Sequence, residues 1–405
     1  MTTVRDGGKI SLRDRIAAEI VRDGPIPFSR FMEMCLYEPE LGYYSRAREQ
    51  FGKAGDFYTS SDVHAVFGRL LARQFEEMWR AMDSPPRVDL IELGPGRGLF
   101  ARDVLDWSAK QFPEFFPALQ YSLVEQSEHL RAKLGERLQH ISDDKFEVFD
   151  SLEPAMAKAG RNIIVFGNEF FDALPVEIID HRGSVRVGCQ NGRIAESFVV
   201  ASAAENEFLD RYGVHPEAGE RVEAALLSLS WMERIAKAFA GRRGFLVLID
   251  YGYTREEQLA GRHRDTIMCY RQHTASASPY DAPGEQDITA HVNFTALRAR
   301  GVEYGLEDVG LVTQSQFLIG IGEETEFGDA FQDCTLPQER AKVALQLKHL
   351  ISPAGMGETF QVLVMSHNVG GAQLSGIKLA RSRSSDVPKP STSFPGRRTA
   401  DPSSG

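Results

Sequence analysis

The chain has 405 residues, about two to three units of ordinary domain size or one elaborated α/β domain, with 42% hydrophobic and 25% charged residues. No stretch reaches the roughly 18 consecutive apolar residues that a bilayer crossing needs, which excludes a membrane-spanning helix. Lys and Arg total 46 against 57 Asp and Glu, a net charge of -11, so the molecule as a whole is not suited to grip a nucleic-acid backbone.

The first 24 residues alternate acids with bases around no apolar core, unlike a signal or transit peptide, which predicts a cytoplasmic protein. Within them Ile16, Ile20 and Val21 share a helical face that Gly24, Pro25 and Pro27 should end. A turn-rich patch from Tyr37 to Tyr58 follows. Between Ser61 and Met82 a second helical stripe, Phe67, Leu71, Phe75, Met78 and Met82, reads as core. After Pro85 and Pro86 short apolar runs alternate with helical segments, the signature of an α/β fold. Strands are expected at Val88 to Leu93, Tyr121 to Glu125, Phe146 to Phe149, Ile163 to Gly167, Phe245 to Asp250 and Phe360 to Met365. VDLIEL, IIVFG and FLVLID are apolar almost without alternation, as in a mostly parallel sheet covered by helices on both faces. A hairpin turning at Asn191-Gly192 and a long helix around Glu217 to Phe239 interrupt the series. The expected organisation is an N-terminal helical cap and lid over 1–84 and a core over 85–260 with its hairpin insertion near 177–200. An inserted lobe over 261–352, a final core strand within 353–370 and a tail over 371–405 complete it. The Ser, Pro and Gly content of the tail predicts disorder. Cys35, Cys189, Cys269 and Cys334 are dispersed without metal-ligand or disulfide spacing, which predicts no metal site and a reducing compartment.

The first strand runs into Gly94-Pro95-Gly96-Arg97-Gly98, and a helix follows with Leu99, Phe100 and Val104. Glycines at such a turn let backbone approach a ligand, and the helix amino terminus offers unpaired N–H groups. A dinucleotide fingerprint would need a small residue where Leu99 stands; the spacing here is instead E-x-G-x-G-x-G, with Glu92 two residues ahead of Gly94. Glu125, at the carboxyl end of the second strand, is placed to accept both hydroxyls of an adenosine ribose, and Asp150, after the third, to lie near the adenine.

These residues resemble motif I and the second-strand acid of class I S-adenosylmethionine-dependent methyltransferases. Further blocks, GDFYTSSDVHAVFG (55–68), GNEFFDALPVE (167–177), LIDYGY (248–253), PGEQDITAHVNF (283–294), TQSQFLIGIG (313–322) and MGETFQVLVMS (356–366), are similar to the MidA-like family. Mitochondrial members of that family are arginine methyltransferases that assist assembly of respiratory complex I. The resemblance, over residues 10 to 368, implies a Rossmann-like class I methyltransferase fold and S-adenosyl-L-methionine as cofactor. It also implies donor contacts from Glu92, Gly94, Gly96, Gly98, Glu125, Asp150 and Asn168, and a protein acceptor, such as a complex I subunit or its bacterial equivalent.

Methyl transfer from a sulfonium needs in-line approach and exclusion of water rather than a metal. The acceptor is read at the carboxyl end of the fourth strand, Asn168-Glu169-Phe170-Phe171-Asp172-Ala173-Leu174-Pro175, which lacks the N-P-P-[YFW] expected of an adenine-N6 enzyme. Arginine stays protonated, so carboxylates must hold it, and Glu169 and Asp172, three apart, are the candidate catalytic pair. The competing reading makes Glu169 a helix cap and Asp172 a solvated turn residue. Asp250, Tyr251 and Tyr253 are expected to support the site, a lone His291 to be structural, and Thr59 and Ser60 to lie on a lid. A small-molecule methyltransferase and a non-catalytic assembly chaperone are the alternative functions.

Overall fold

Residues 11–46, 65–142, 144–191, 193–271, 274–276 and 278–379 are described by the structure, a computed structural model. The runs that lack alternation in the sequence form a central sheet of seven long strands. They are β1 (Val88–Leu93), β2 (Leu119–Val124), β3 (Phe146–Phe149), β4 (Asn162–Asn168), β5 (Arg243–Tyr253), β6 (Glu307–Thr313) and β7 (Phe360–His367). Their order is β6-β7-β5-β4-β1-β2-β3, and Val292–Asn293 adds a short parallel pairing at the end of β5. Only β7 runs against its neighbours in this set, pairing antiparallel with both β5 and β6. Every residue of β1 is buried because its alternate side chains enter two different cores. Val88 and Leu90 join Phe166, Val247 and the helices on one face, whereas Ile91 and Leu93 join Ile163, Val165 and Met232 on the other.

On the first face lie α1 (Ala65–Ala81) and α2 (Leu99–Gln111). Phe67, Leu71, Phe75, Met78 and Met82 are all buried, as their spacing requires. Gly68 lets the two helices approach closely, since a Cβ there would meet Cβ of Asp103 at 2.7 Å. Phe100 stacks on Phe166 with 4.5 Å between ring centroids, which ties α2 to β4.

The structure redraws the expected domain boundaries. Ile26–Pro27 pairs with Gly183–Gln190, so the N-terminal cap and the hairpin insertion form one antiparallel sheet, together with Glu177–Asp180, Arg193–Val199 and Arg221–Ala224. Val21 is 85% exposed although Ile16 and Ile20 are buried beneath this sheet, because position 21 has rotated past the buried face. The long helix expected from Glu217 starts only at Leu226, since 221–224 is taken up as a strand. The inserted lobe expected over 261–352 is also divided. Its Glu307–Thr313 stretch is β6 of the main sheet, and Met268–Arg271, Thr274–Ser276 and Asp287–Thr289 form a separate small sheet. Residues 374–377, which the expected tail included, dock on the core: Leu374 and Ile377 are buried, and the N–H groups of Ser375 and Gly376 donate to Glu77 and Gln74 of α1. Two apolar anchors and two hydrogen bonds are enough to order residues that composition alone assigns to the tail. Residues 381–405, like the lid around Thr59 and Ser60, lie outside the described residues.

Candidate functional site

The carboxyl ends of β1, β2, β3 and β4 open into a cleft of about 1100 Å³. Ligands collect at this edge of a parallel sheet where neighbouring crossovers part to opposite faces. Of the residues singled out in the sequence, Glu92, Gly94, Gly96, Glu125, Asp150, Asn168, Glu169 and Asp172 line it, whereas Gly98 stands behind the lining. Gly94, Gly96 and Gly98 have φ of 64°, 51° and 70°, the left-handed region that favours glycine. A Cβ on Gly94 would lie 3.1 Å from the Phe170 ring, and one on Gly98 2.6 Å from Cδ2 of Leu134. Side chains at these two positions would collide with their neighbours, so the turn stays a cradle of bare backbone.

Two carboxyls sit deep in this cradle. Oε2 of Glu92 accepts from the Tyr121 hydroxyl at 2.8 Å, and burial pushes its pKa up to about 8 despite that bond. Oε1 of Glu125 accepts from the Ser127 N–H at 2.8 Å, and burial pushes its pKa up to about 7. Asp150 is exposed at the outer rim and accepts from its neighbour Ser151 at 2.7 Å.

At the end of β4 the chain leaves the sheet without forming a helix, so the helix-cap reading of Glu169 does not hold. Glu169 has φ of 50°, unusual for a side chain with a Cβ and a form of backbone strain that gathers at functional sites. Nδ2 of Asn168 donates to Oε1 of Glu169 at 3.0 Å. Asp250, at the end of β5, explains why this turn keeps its shape. Its Oδ2 accepts from the N–H groups of Phe171 (3.0 Å) and Asp172 (3.2 Å), and its Oδ1 from that of Tyr251 (3.0 Å). Burial raises the pKa of Asp172 to about 6 and that of Asp250 above the usual carboxylate range, with Asp172 and Glu169 adding repulsion at Asp250. Phe170 lines the cleft, edge-on to Trp231 at 5.0 Å, whereas its neighbour Phe171 turns into the core. His291 is absent from the cleft wall; its Nδ1 lies 3.1 Å from Nδ1 of His263 and burial holds its pKa down at about 4.

A sequence profile described as "Putative S-adenosyl-L-methionine-dependent methyltransferase" matches residues 70–312. The chain belongs to this methyltransferase family. A Burkholderia thailandensis protein solved with S-adenosyl-homocysteine bound superposes with a TM-score of 0.77 at 29% identity, covering 91% of this chain and 94% of that one. The protein named protein arginine methyltransferase NDUFAF7 homolog, mitochondrial, of Drosophila melanogaster is 29% identical over 91% of this chain and 88% of its own. Human protein arginine methyltransferase NDUFAF7, mitochondrial, is 26% identical over 86% of this chain and 81% of its own.

The methyltransferase uses S-adenosyl-L-methionine, and the cleft suits that donor. Gly94 and Gly96 bring bare backbone to its wall, and Oδ1 of Asn168, on the same wall, is buried without a hydrogen-bond partner among the described residues. Small-molecule sites commonly occupy about 300–1,000 Å³, so this cleft has room for a donor together with an acceptor side chain. Sequence reasoning gave no role to Tyr37, Tyr44, Trp231 and Asp287, all of which line the cleft. Asp287 lies in the block PGEQDITAHVNF, which signalled the family without placing the residue in space.

Proposed function

We propose that this methyltransferase modifies an arginine side chain of a protein acceptor, a respiratory complex I subunit or its bacterial equivalent. The observation that carries this reading is the pair Glu169 and Asp172, both on the wall of the donor cleft. A guanidinium is permanently charged, planar and delocalised, and carboxylates bind it through paired hydrogen bonds that a neutral acceptor would not need. Acidic side chains also outnumber basic ones around the cleft. The relatives named as protein arginine methyltransferases support the same acceptor chemistry, and complex I enters through the resemblance of the sequence blocks to the MidA-like family.

When bound, the donor supplies an electrophilic methyl group, whose transfer to a guanidine nitrogen breaks the C–S bond, forms an N–C bond and leaves S-adenosylhomocysteine and one proton. Glu92 and Glu125 hold the donor's polar groups, while Gly94 and Gly96 let backbone approach it. Glu169 and Asp172 draw positive charge toward the nitrogens they bind and leave the attacking nitrogen free of them. Phe170 and Trp231 wall the same space with apolar surface and exclude water.

The test is transfer of labelled methyl groups to complex I purified from cells lacking this protein, and to arginine peptides cut from the labelled subunit. Glu169→Gln should lower turnover by about 10- to 100-fold, the worth of roughly 1.5–3 kcal/mol for a hydrogen bond to a charged group, and leave donor affinity unchanged. Full transfer by that variant, or equal transfer when the target arginine is replaced by lysine, would remove the arginine reading.

A further inference from the structure

We propose that the acceptor polypeptide leaves the donor cleft across Leu227 and seats an apolar side chain, from near the methylated residue, in a second depression between the helices Phe28–Tyr37 and Leu226–Ala238. The inference rests on the reading of the acceptor as a protein, and it adds a subsite that selects the sequence around the target.

The depression holds about 400 Å³ and is continuous with the cleft, since Glu33, Pro175 and Leu227 belong to the walls of both. Its floor follows from strand pairing, in which Glu177 lies opposite Ala224 in an antiparallel pair. Helix Phe28–Tyr37 supplies one side with Ser29, Arg30 and Glu33, positions that share a helical face. Helix Leu226–Ala238 supplies the other with Leu226, Leu227 and Ser230. The acceptor turn itself leads there. Asp172 on the cleft wall and Glu177 in the depression are five positions apart in the chain, so their Cα atoms lie at most about 18 Å apart, and an extended acceptor covers that span in about five residues.

The chemistry of the wall selects the occupant, because its charged side chains, Arg30, Glu33 and Glu177, are already paired. Nε and Nη2 of Arg30 donate to the Glu19 carboxylate at 2.8 and 3.1 Å, and Nη1 donates to Oε2 of Glu33 at 2.7 Å. Glu177 accepts from the Ser29 hydroxyl, and Nη1 of Arg186 stands 3.7 Å from its other oxygen. The Ser230 hydroxyl turns back to the Leu226 carbonyl at 3.3 Å. A charged side chain entering here would lose its water and find these partners taken. What stays open is apolar: Leu227 is 39% exposed, at the point where the depression meets the cleft. Single exposed leucines are common on convex surfaces, but one on a concave wall beside a reaction cleft gains when a ligand covers it. Such a contact is the same before and during methyl transfer, so it tightens acceptor binding without speeding the chemical step.

The experiment measures labelled methyl transfer by the full-length protein to a peptide from the labelled subunit that carries the methylated position with its flanks. The same peptide is also tested with alanine at each flanking position in turn. With the wild-type protein, alanine at one apolar position within about five of the target should raise KM by about 10- to 100-fold and leave kcat within about two-fold. Leu227→Asp puts a charge on the apolar wall, and Ser230→Trp fills the depression from an exposed position. Each should raise KM for the unchanged peptide by a similar factor and leave the affinity for S-adenosylhomocysteine within about two-fold. In both variants the alanine peptide should do no worse than its parent, since the contact it lacks is already gone. A scan in which no flanking apolar position changes KM overturns the inference, whatever the variants do. Wild-type KM in both variants overturns it too, as does a preference for a basic flanking side chain, or losses in peptide and protein that simply add. Labelling at a residue other than arginine removes the arginine reading and leaves this test intact. A wild-type protein that labels no protein overturns both, and that failure appears earlier, in the transfer assay.

Discussion

Glu92 and Glu125 stand on adjacent strands of the sheet, yet their surroundings separate their duties. Both line the cleft, but Glu125 meets backbone N–H groups, whereas Glu92 sits against the Tyr121 hydroxyl. Glu125→Ala should therefore weaken S-adenosylmethionine binding by about 10- to 100-fold, the worth of roughly 1.5–3 kcal/mol, in titration calorimetry of a protein that remains folded. Glu92 carries a pH consequence whose sign follows from its raised pKa of about 8. In the unfolded chain a glutamate releases its proton near 4.3, so between that value and about 8 the folded state binds more protons than the unfolded one. The stability Glu92 contributes is thus fully present below about pH 4 and is lost as pH rises through 8. Glu92→Gln should raise the melting temperature at pH 8.5, by the equivalent of about 1 kcal/mol or more, and change it little at pH 5. Equal shifts at both pH values would contradict this assignment.

At the scale of elements, the acceptor turn is a strand end held by a neighbouring strand. Asp250 of β5 accepts from two N–H groups of the turn after β4, and Glu169 donates its own N–H to the Ile249 carbonyl at 2.9 Å. Asp250→Ala would leave buried backbone donors unmatched. It should cost about 1–3 kcal/mol in chemical denaturation and abolish methyl transfer while donor affinity stays within a few-fold, because the turn that carries Glu169 and Asp172 loosens and the glycine cradle does not. The start of α2 depends on backbone freedom instead. Gly98→Ala should destabilise the protein by about 1–2 kcal/mol from its left-handed φ alone, with the Leu134 contact adding to that.

For the whole molecule, donor binding and folding are linked, because the cradle needs β1, β2 and β4 in register. Saturation with S-adenosylhomocysteine at about 100 times its dissociation constant should stabilise the wild-type protein by about 2.7 kcal/mol, and this increment should shrink in Glu125→Ala. The net charge of -11 and the acid-lined cleft should also draw basic acceptor segments. Raising ionic strength from about 0.01 to 1 M shortens the screening length from about 30 to 3 Å, so KM for an arginine peptide should rise while the affinity for S-adenosylhomocysteine changes less.

The amino-acid order by itself determined the strands buried on both faces, the glycine turn after β1 and the acid at the end of β2. Each depends on neighbours only a few residues away: a double-sided core needs a continuous apolar run, and a left-handed turn needs glycine. The carboxyl pair at 169 and 172 was legible for the same local reason, although its shape was not, since no helix follows Asn168 and a distant Asp250 dictates the turn. EDVGLVT did not stand out as β6 because an edge strand whose first residues are exposed lacks the unbroken apolar run of its neighbours. Docking of 374–377 on α1, the joining of Ile26–Pro27 to residues from 177 onward, and the meeting of Tyr44, Asp172 and Asp287 were decided only in the tertiary structure. These contacts link residues more than a hundred positions apart, and no local periodicity records a hydrogen bond that closes only after separate segments have folded.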